Sequence, residues 1–319
     1  MKSLKLVFMG TPAFALPSLD LLYTTHHKLC GLVTQPDRLK GRGRQMQFSP
    51  TKQWALEHNV DTCQPEKMNE PGFLLWLEKL KPDLIVTVAY GRLLTKTLLN
   101  LPPLGCINLH ASYLPAHRGA APIHRAVIEG ASYSGVSIID LTPELDGGDV
   151  YMQEKEEISF YDTAGMLHDR LAARGAALLV KTINALADGT ALKTPQNPTL
   201  VTYAPPLDRD DEKLNWNCTS LEIYNRIRGL NPWPGAYTNL RGKRIKVWKA
   251  APFDLKNAGC GAHMPGAILA AAEGTLTVAT GDGAITLLDL QPAGKKKMDA
   301  GSFCCGYRVE SGECLGRDN

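Results

Sequence analysis

Three short apolar runs, residues 6–9 (LVFM), 30–34 (CGLVT) and 84–89 (LIVTVA), do most to limit what this chain can fold into. Each has strand length and helical segments lie between them, an alternation that specifies a parallel sheet covered by helices on both faces. The first run turns at Gly10-Thr11-Pro12 into a helix whose apolar positions include Phe14, Leu16, Leu19 and Leu22. Strand, glycine turn and helix in that order are the opening of a nucleotide-binding fold. The turn reads GTPAFA, however, not GxGxxG, and the second run ends in Thr34-Gln35 where a ribose-binding acid would stand. A nicotinamide oxidoreductase is therefore disfavoured.

Residues 105–130, GCINLHASYLPAHRGAAPIHRAVIEG, carry the candidate chemistry. Residues 106–109 read as a buried strand, in which alternate side chains share a face, so Asn108 and His110 point one way while Ile107 and Leu109 point into packing on the other. Two polar groups thus reach the strand's carboxyl end together. Open parallel sheets bind ligands there, and a neutral amide donor beside an imidazole suits acyl chemistry. The alternative is a buried polar pair bonded only to loop backbone. Residues 121–129 form a helix ending at Gly130, and a further strand at 136–141 leaves through TPELDGGDV. That exit sets Asp146 and Asp149 on a glycine-containing loop over the same sheet end as His110. They are either turn formers or a means of orienting the histidine or a water.

A chain of 319 residues has room for two domains, with the first expected at 1–189, a polar, proline-rich linker at 190–207 and the second at 208–319. A ribbon strand at 150–158 and a helix over 163–187 close the first. The second opens with a helix in which Thr219 and Glu222 fit a capping box, then changes to short strands at 244–250, 276–280 and 284–290. The fold class is α/β: a Rossmann-like parallel sheet domain followed by a small OB-like β-barrel. Net charge is only +3, but the cations are not spread evenly. Residues 35–52 form an aperiodic loop with Arg38, Lys40, Arg42, Arg44 and Lys52 against the single acid Asp37. Residues 226–256 hold eight Lys or Arg against Asp254, and Lys295-Lys296-Lys297 adds another group. The loop alone is either a solvated, disordered segment or a mobile arm for phosphates, and the second group alone is a solvated face; a phosphate backbone lying across both accounts for them together. The eight cysteines form no CxxC pair and no zinc spacing, as in a reducing compartment. The opening apolar run is broken after four residues, unlike an export leader, and no stretch is long enough to span a membrane, so a cytoplasmic location and no metal are expected.

Taken together, VAYG (88–91), INLHASYLPAHRGAAPIHRA (107–126) and LDGGD (145–149) resemble the formyltransferase family that uses 10-formyltetrahydrofolate. NPWPGA (231–236), KVWKA (246–250), VATGDG (278–283), LQPAGKKKM (290–298) and TQPDRLKGRGR (34–44) are similar to the members that act on initiator methionyl-tRNA. The resemblance implies a formyl transfer from 10-formyltetrahydrofolate to the methionyl amine, with Asn108, His110 and Asp146 as the catalytic set. It also implies folate contacts at Ser112, Tyr113, Leu114 and Pro115, an apolar pocket wall including residues 88–91, and tRNA contacts at Arg38, Lys40, Arg42 and Arg44, in a monomer. The chain departs from the family at Tyr113, where relatives carry an aliphatic residue, and at Cys304-Cys305, read as small buried hydrophobes.

Overall fold

In the computed structural model, which describes residues 2–40, 45–251, 263–272 and 274–317, the apolar runs become strands of one seven-stranded sheet. Along the chain come β1 (Lys5–Gly10), α1 (Leu16–Tyr23), β2 (Lys28–Val33), β3 (Arg38–Lys40), β4 (Gln45–Gln47), α2 (Pro50–Glu57), β5 (Thr62–Cys63) and α3 (Pro71–Leu80). They are followed by β6 (Leu84–Val88), α4 (Lys96–Leu99), β7 (Cys106–His110), α5 (Pro122–Ile128), β8 (Tyr133–Asp140), β9 (Val150–Glu157) and α6 (Ala164–Ala187). The sheet order is β5-β2-β1-β6-β7-β8-β9. Neighbours from β5 to β7 run parallel, whereas β8 is antiparallel to β7 and β9 to β8. The parallel sheet read from the sequence is thus a mixed one. Only residues 141–149 separate β8 from β9, too few for the crossover that a parallel pair needs, so β9 turns straight back.

Contacts divide the chain into two units, the first comprising Met1–Pro122, Tyr133–Glu157 and His168–Pro205. On one face of its sheet Val7, Met9, Val33, Phe73, Leu77, Ile85, Leu98 and Cys106 form a buried cluster. On the other, Leu109 meets α6 at Gly175, where a Cβ would lie 2.7 Å from Leu109 Cδ1. The pleat therefore gives Asn108 and His110 the face of Cys106, and Ile107 and Leu109 the opposite one.

The proline-rich stretch expected as a linker has its backbone tied to this unit as far as Ala204. Val150 and Thr194 exchange two hydrogen bonds of 2.9 Å, Arg118 N–H donates to Thr202 O at 2.9 Å, and Ala204 N–H donates to Arg118 O at 2.7 Å. Its polarity marks an extended surface strip, several of whose backbone groups are paired. In the basic segment, β3 and β4 form a two-stranded antiparallel ribbon where an aperiodic loop was expected. Lys52 stands apart from that ribbon on α2, ion-paired with Asp37 and donating to Gln64 Oε1 at 2.7 Å.

The second unit comprises Ile123–Ser132, Ile158–Leu167 and Pro206–Asn319. It holds α7 (Arg209–Glu212), α8 (Ser220–Gly229), β10 (Ala236–Leu240), β11 (Lys243–Ala251), β12 (Ile268–Ala272), β13 (Thr275–Ala279), β14 (Ala284–Pro292), β15 (Met298–Asp299) and α9 (Ala300–Tyr307). The antiparallel sheet runs β10-β11-β14-β13-β12, with β15 beside β14. Its two edges are joined through the C-terminal segment: Leu315 N–H donates to Gly266 O at 2.7 Å and Gly316 N–H to Asn239 O at 2.8 Å. Trp216, Leu230, Val247, Leu287 and Phe303 fill the interior. Thr219 and Glu222 form the expected capping box at the start of α8. Cys304 is buried as expected, whereas Cys305 is exposed. Among the described residues no helix is long and apolar enough to cross a membrane.

The acidic run before α8 has a structural use. Asp208 caps α7, and Asp211 takes both arms of the Arg125 fork at 2.8 and 2.6 Å. Burial pushes the Asp211 carboxyl up, but the Arg125 hydrogen bond and the Asp208 amide outweigh it and hold it below its ordinary value. A depressed folded pKa stabilises above the unfolded value and loses that contribution as pH falls through the folded one. Asp211→Asn is expected to cost the second unit about 1.5–3 kcal/mol at neutral pH, measured by urea denaturation. The gap between variant and wild type should narrow once the pH drops below about 4.

Candidate active site

β7 delivers its two polar side chains in different states. Asn108 Oδ1 accepts from Thr87 Oγ1 on β6 at 2.7 Å, which turns the amide N–H₂ away from the strand pair. His110 is buried, with Nε2 2.9 Å from the carbonyl oxygen of His117. A carbonyl only accepts, so Nε2 carries a proton and Nδ1 is left facing the Asp146 carboxylate, whose Oδ2 lies 3.6 Å away. The backbone of His117 thus sets which ring nitrogen is protonated. Cys106, two residues before Asn108, is no nucleophile, because burial, with some help from the Asp140 charge, pushes its thiol up to about 12.

Asp146 reaches His110 by an indirect route. Ile107 pairs with Asp140 and His110 with Ser137, so the end of β8 lies at the beginning of β7. The loop leaves with Leu141 N–H bonded to Cys106 O at 2.8 Å, yet Asp146 sits at His110, about 13 Å along the strand at 3.3 Å per residue. The loop thus starts away from His110, and Asp146 still reaches the sheet end expected of it. Three residues hold the loop extended. Gly119 N–H donates to Asp146 Oδ2 at 2.8 Å, Gln196 Nε2 donates to the carbonyls of Asp146 and Gly148 at 2.7 Å each, and Arg118 Nη1 bonds Glu144 at 2.6 Å. Asp146 itself has φ +48°, a left-handed conformation that costs a non-glycine residue about 1–3 kcal/mol. Asp149, the other candidate, gives its carbonyl to Asp140 N–H at 2.9 Å at the base of the loop.

Residues 112–115 run past the end of β7 and are anchored by Ser137. Its hydroxyl donates to Ser112 O at 2.7 Å and accepts from Leu114 N–H at 3.1 Å and from Gln153 Nε2 at 3.0 Å. Gln153 also donates to Leu114 O at 2.7 Å, so both backbone groups of the buried Leu114 are used within the protein. The amide N–H groups of Ser112 and Tyr113 find no acceptor among the described residues. The Tyr113 ring lies edge-on to Tyr133, with Lys155 Nζ 5.0 Å from its centroid. Pro115 follows Leu114 and accepts at its carbonyl from Thr202 N–H at 3.4 Å. In the 88–91 wall, Val88 and Tyr90 are buried, while Ala89 and Gly91 are exposed.

Of the basic residues named from the sequence, Arg38, which is exposed, and Lys40 fall on β3. Arg42, Arg44, Asp254 and Lys256 lie outside the described residues. Several second-unit cations serve structure: Arg228 is buried and bonds Asn225 and the carbonyls of Ser159 and Asp162, and Arg241 bonds Glu313 through two nitrogens. Arg244 stacks 3.8 Å from the Tyr237 ring centroid, while Lys243, Lys249, Lys295 and Lys296 are exposed. A surface cavity of about 650 Å³ in the first unit is lined by Cys106, Asp140, Tyr151 and Lys193 at the other end of β7, away from His110. Among the described residues no group of three or more His, Cys, Asp or Glu is placed to hold a metal ion.

Reading the sequence missed Thr87, His117, Gly119, Ser137 and Gln196. A weak signal existed for one of them, since Thr87 is a single hydroxyl inside an otherwise apolar run.

An amide, an imidazole and a carboxylate at the end of a Rossmann-like sheet are an arrangement suited to acyl transfer. The profile described as Formyl transferase matches residues 1–183, and that described as Formyl transferase, C-terminal domain, matches residues 206–308, so the chain belongs to the formyl transferase family. Within it, the chain stands with the methionyl-tRNA formyltransferases. It is 45% identical over 313 residues to that of Moorella thermoacetica, covering 98% of this chain and 99% of the relative. It is 42% identical over 316 residues to that of Bacillus subtilis, covering 99% and 98%. Among solved structures, HypX from Aquifex aeolicus in complex with tetrahydrofolic acid aligns with TM-score 0.64 at 15% identity, over 97% of this chain and 48% of that one. The N-formyltransferase from Helicobacter canadensis in complex with folinic acid and dTDP-3-aminofucose aligns with TM-score 0.67 at 20% identity, over 91% and 99%. At such identities these two structures speak for the fold alone.

Ser137→Ala would strip the buried Leu114 amide and Ser112 carbonyl of their partner. The expected result is a loss of about 1–3 kcal/mol in chemical denaturation, with Ser137→Thr retaining most of the stability.

Proposed function

We propose that this chain transfers the formyl group of 10-formyltetrahydrofolate to the amino group of initiator methionyl-tRNA, giving N-formylmethionyl-tRNA. The observation that carries the reading is the approach of Asp146 to His110 on the face of β7 that also bears Asn108, in a chain matching methionyl-tRNA formyltransferases over nearly its whole length. The site residues suit a formyl donor. The amides of Ser112 and Tyr113 offer hydrogen-bond donors, and the Asn108 N–H₂ is turned outward by Thr87.

Attack of the amine on the formyl carbon forms a C–N bond and moves the carbonyl pair onto oxygen; collapse breaks the bond to the donor nitrogen, which takes up a proton. Asn108 donates to the developing oxyanion, a contact that strengthens as charge builds. Asp146, its Oδ2 held by Gly119, takes the proton lost by the amine, directly or through a water. His110, with Nε2–H held on His117, offers Nδ1 to stabilise the oxyanion when protonated and to pass the proton on. Arg38 and Lys40 on the ribbon, with Arg42 and Arg44 of the same segment of sequence, engage the phosphates of the tRNA, as do exposed lysines of the second unit. Exposed cations in both units favour a polyanionic acceptor over a small one. Monomeric action in the cytoplasm completes the proposal.

Mixing the protein with 10-formyltetrahydrofolate and charged initiator tRNA should block the methionyl amine; free amines after complete mixing refute the reading. Asn108→Ala is expected to lower kcat about 10²–10³-fold. His110→Ala and Asp146→Asn should each lower it by at least about 10²-fold, with the tRNA KM little changed. Arg38→Ala and Arg42→Ala should instead raise the tRNA KM and flatten the log–log salt dependence by about one unit each, and unaltered tRNA kinetics would remove the ribbon from the interface.

A further inference from the structure

We infer that Gln196 is a positioning residue for this reaction, acting through Asp146; the inference rests on the catalytic role proposed above for that carboxylate. Gln196 stands on the stretch between α6 and Pro198, seven residues beyond Gly189. Its side-chain amide is fully used. Both N–H groups serve the 146–148 turn, through the carbonyls of Asp146 and Gly148 at 2.7 Å each. Its oxygen accepts from Arg118 Nε at 3.1 Å and Nη2 at 2.9 Å. Only this orientation of the amide works, because the reverse would set its oxygen against two carbonyls and its N–H₂ against a guanidinium.

The partners explain what the clamp achieves. Arg118 is buried, reaches Glu144 on the same loop at 2.6 Å, and immediately precedes Gly119, whose N–H holds Asp146 Oδ2. Gln196 and Arg118 therefore grip the loop on both sides of Asp146, while Gly119 aims the carboxylate at His110. The grip is needed because φ at Asp146 is +48°, which an unrestrained aspartate leaves for the ordinary right-handed or extended regions. That rotation carries the carboxylate away from Gly119 and His110. A side chain that touches neither reacting group thus fixes the distance between the two acid–base residues.

Gln196→Glu separates the two sides of the clamp. It keeps acceptors for Arg118 but loses both donors to the loop, so it should retain the melting temperature better than Gln196→Ala. Both variants are expected to lower kcat by about 10²-fold, the usual scale for a misplacement near 1 Å. KM for each substrate should stay within about threefold, since neither substrate site is touched. Two further measurements separate positioning from general damage. In an Asp146→Asn background Gln196→Glu should add less than about threefold, because the group it positions is already disabled. The amide proton of Gly119 should move upfield by NMR in Gln196→Glu as its bond to Asp146 weakens. Wild-type kcat in both single variants, an undiminished factor in the Asp146→Asn background, or an unmoved Gly119 resonance would each overturn the inference. Full activity of Asp146→Asn alone would instead refute the catalytic role of the carboxylate, and the Gly119 resonance would still decide whether Gln196 holds it.

Discussion

Because β8 runs antiparallel to β7, the carboxylate that meets His110 does not come from the nearest strand end. Asp140 pairs with Ile107 and Ser137 with His110, so the chain leaves β8 at the wrong end of β7 and must travel back along it. Most of the site's unexpected features follow from that one geometric fact. A loop without regular structure has to span the strand, hold a left-handed aspartate and deliver its carboxylate within reach of a buried ring. Loops of this kind keep such geometry only when neighbours restrain them. Arg118, Gly119 and Gln196 provide the restraint, and two of those three belong to the segment that directly follows β7.

The same reversal gives Ser137 its position. As the cross-strand partner of His110, it faces the chain where residues 112–114 turn away from β7, and its hydroxyl meets their backbone. The imidazole and the segment expected to meet the folate are thereby referred to one strand. His110 has a second reference in the His117 carbonyl, which settles the ring's tautomer without calling on the carboxylate. That leaves Asp146 to the proton-accepting role proposed for it.

In the second unit, charge and structure are less separable than the count of cations suggests. Arg125 and Asp211 bind each other, Arg228 is buried among carbonyls, and Arg241 is taken by Glu313. The acidic run at 208–213 caps a helix and receives Arg125. What remains exposed, chiefly Lys243, Lys249, Lys295 and Lys296, is a smaller basic surface than the sequence implies. Lys52 was likewise counted with the arm but belongs to α2 and to Asp37.

How much could be read in advance differs by level. Strand runs, helix spacing and the capping box at Thr219 are local properties, and each appears where periodicity and cap chemistry put it. The shared face of Asn108 and His110 was equally legible, because a strand's two-residue repeat needs no knowledge of the rest of the chain. Strand direction was not: nothing within residues 133–140 says which way they will run beside β7. Nor did residues 190–205 betray their use, since proline, asparagine and glutamine look alike in a free linker and in a strip bonded to the surface. Sequence by itself thus determined most of the principal elements, though not the β3–β4 ribbon, together with the facing of the amide and imidazole, and the family. Tertiary structure decided the route by which Asp146 arrives, the tautomer of His110 and the service of Gln196. Each depends on hydrogen bonds between residues 7 to 78 positions apart, and such pairings are chosen only when the sheet assembles.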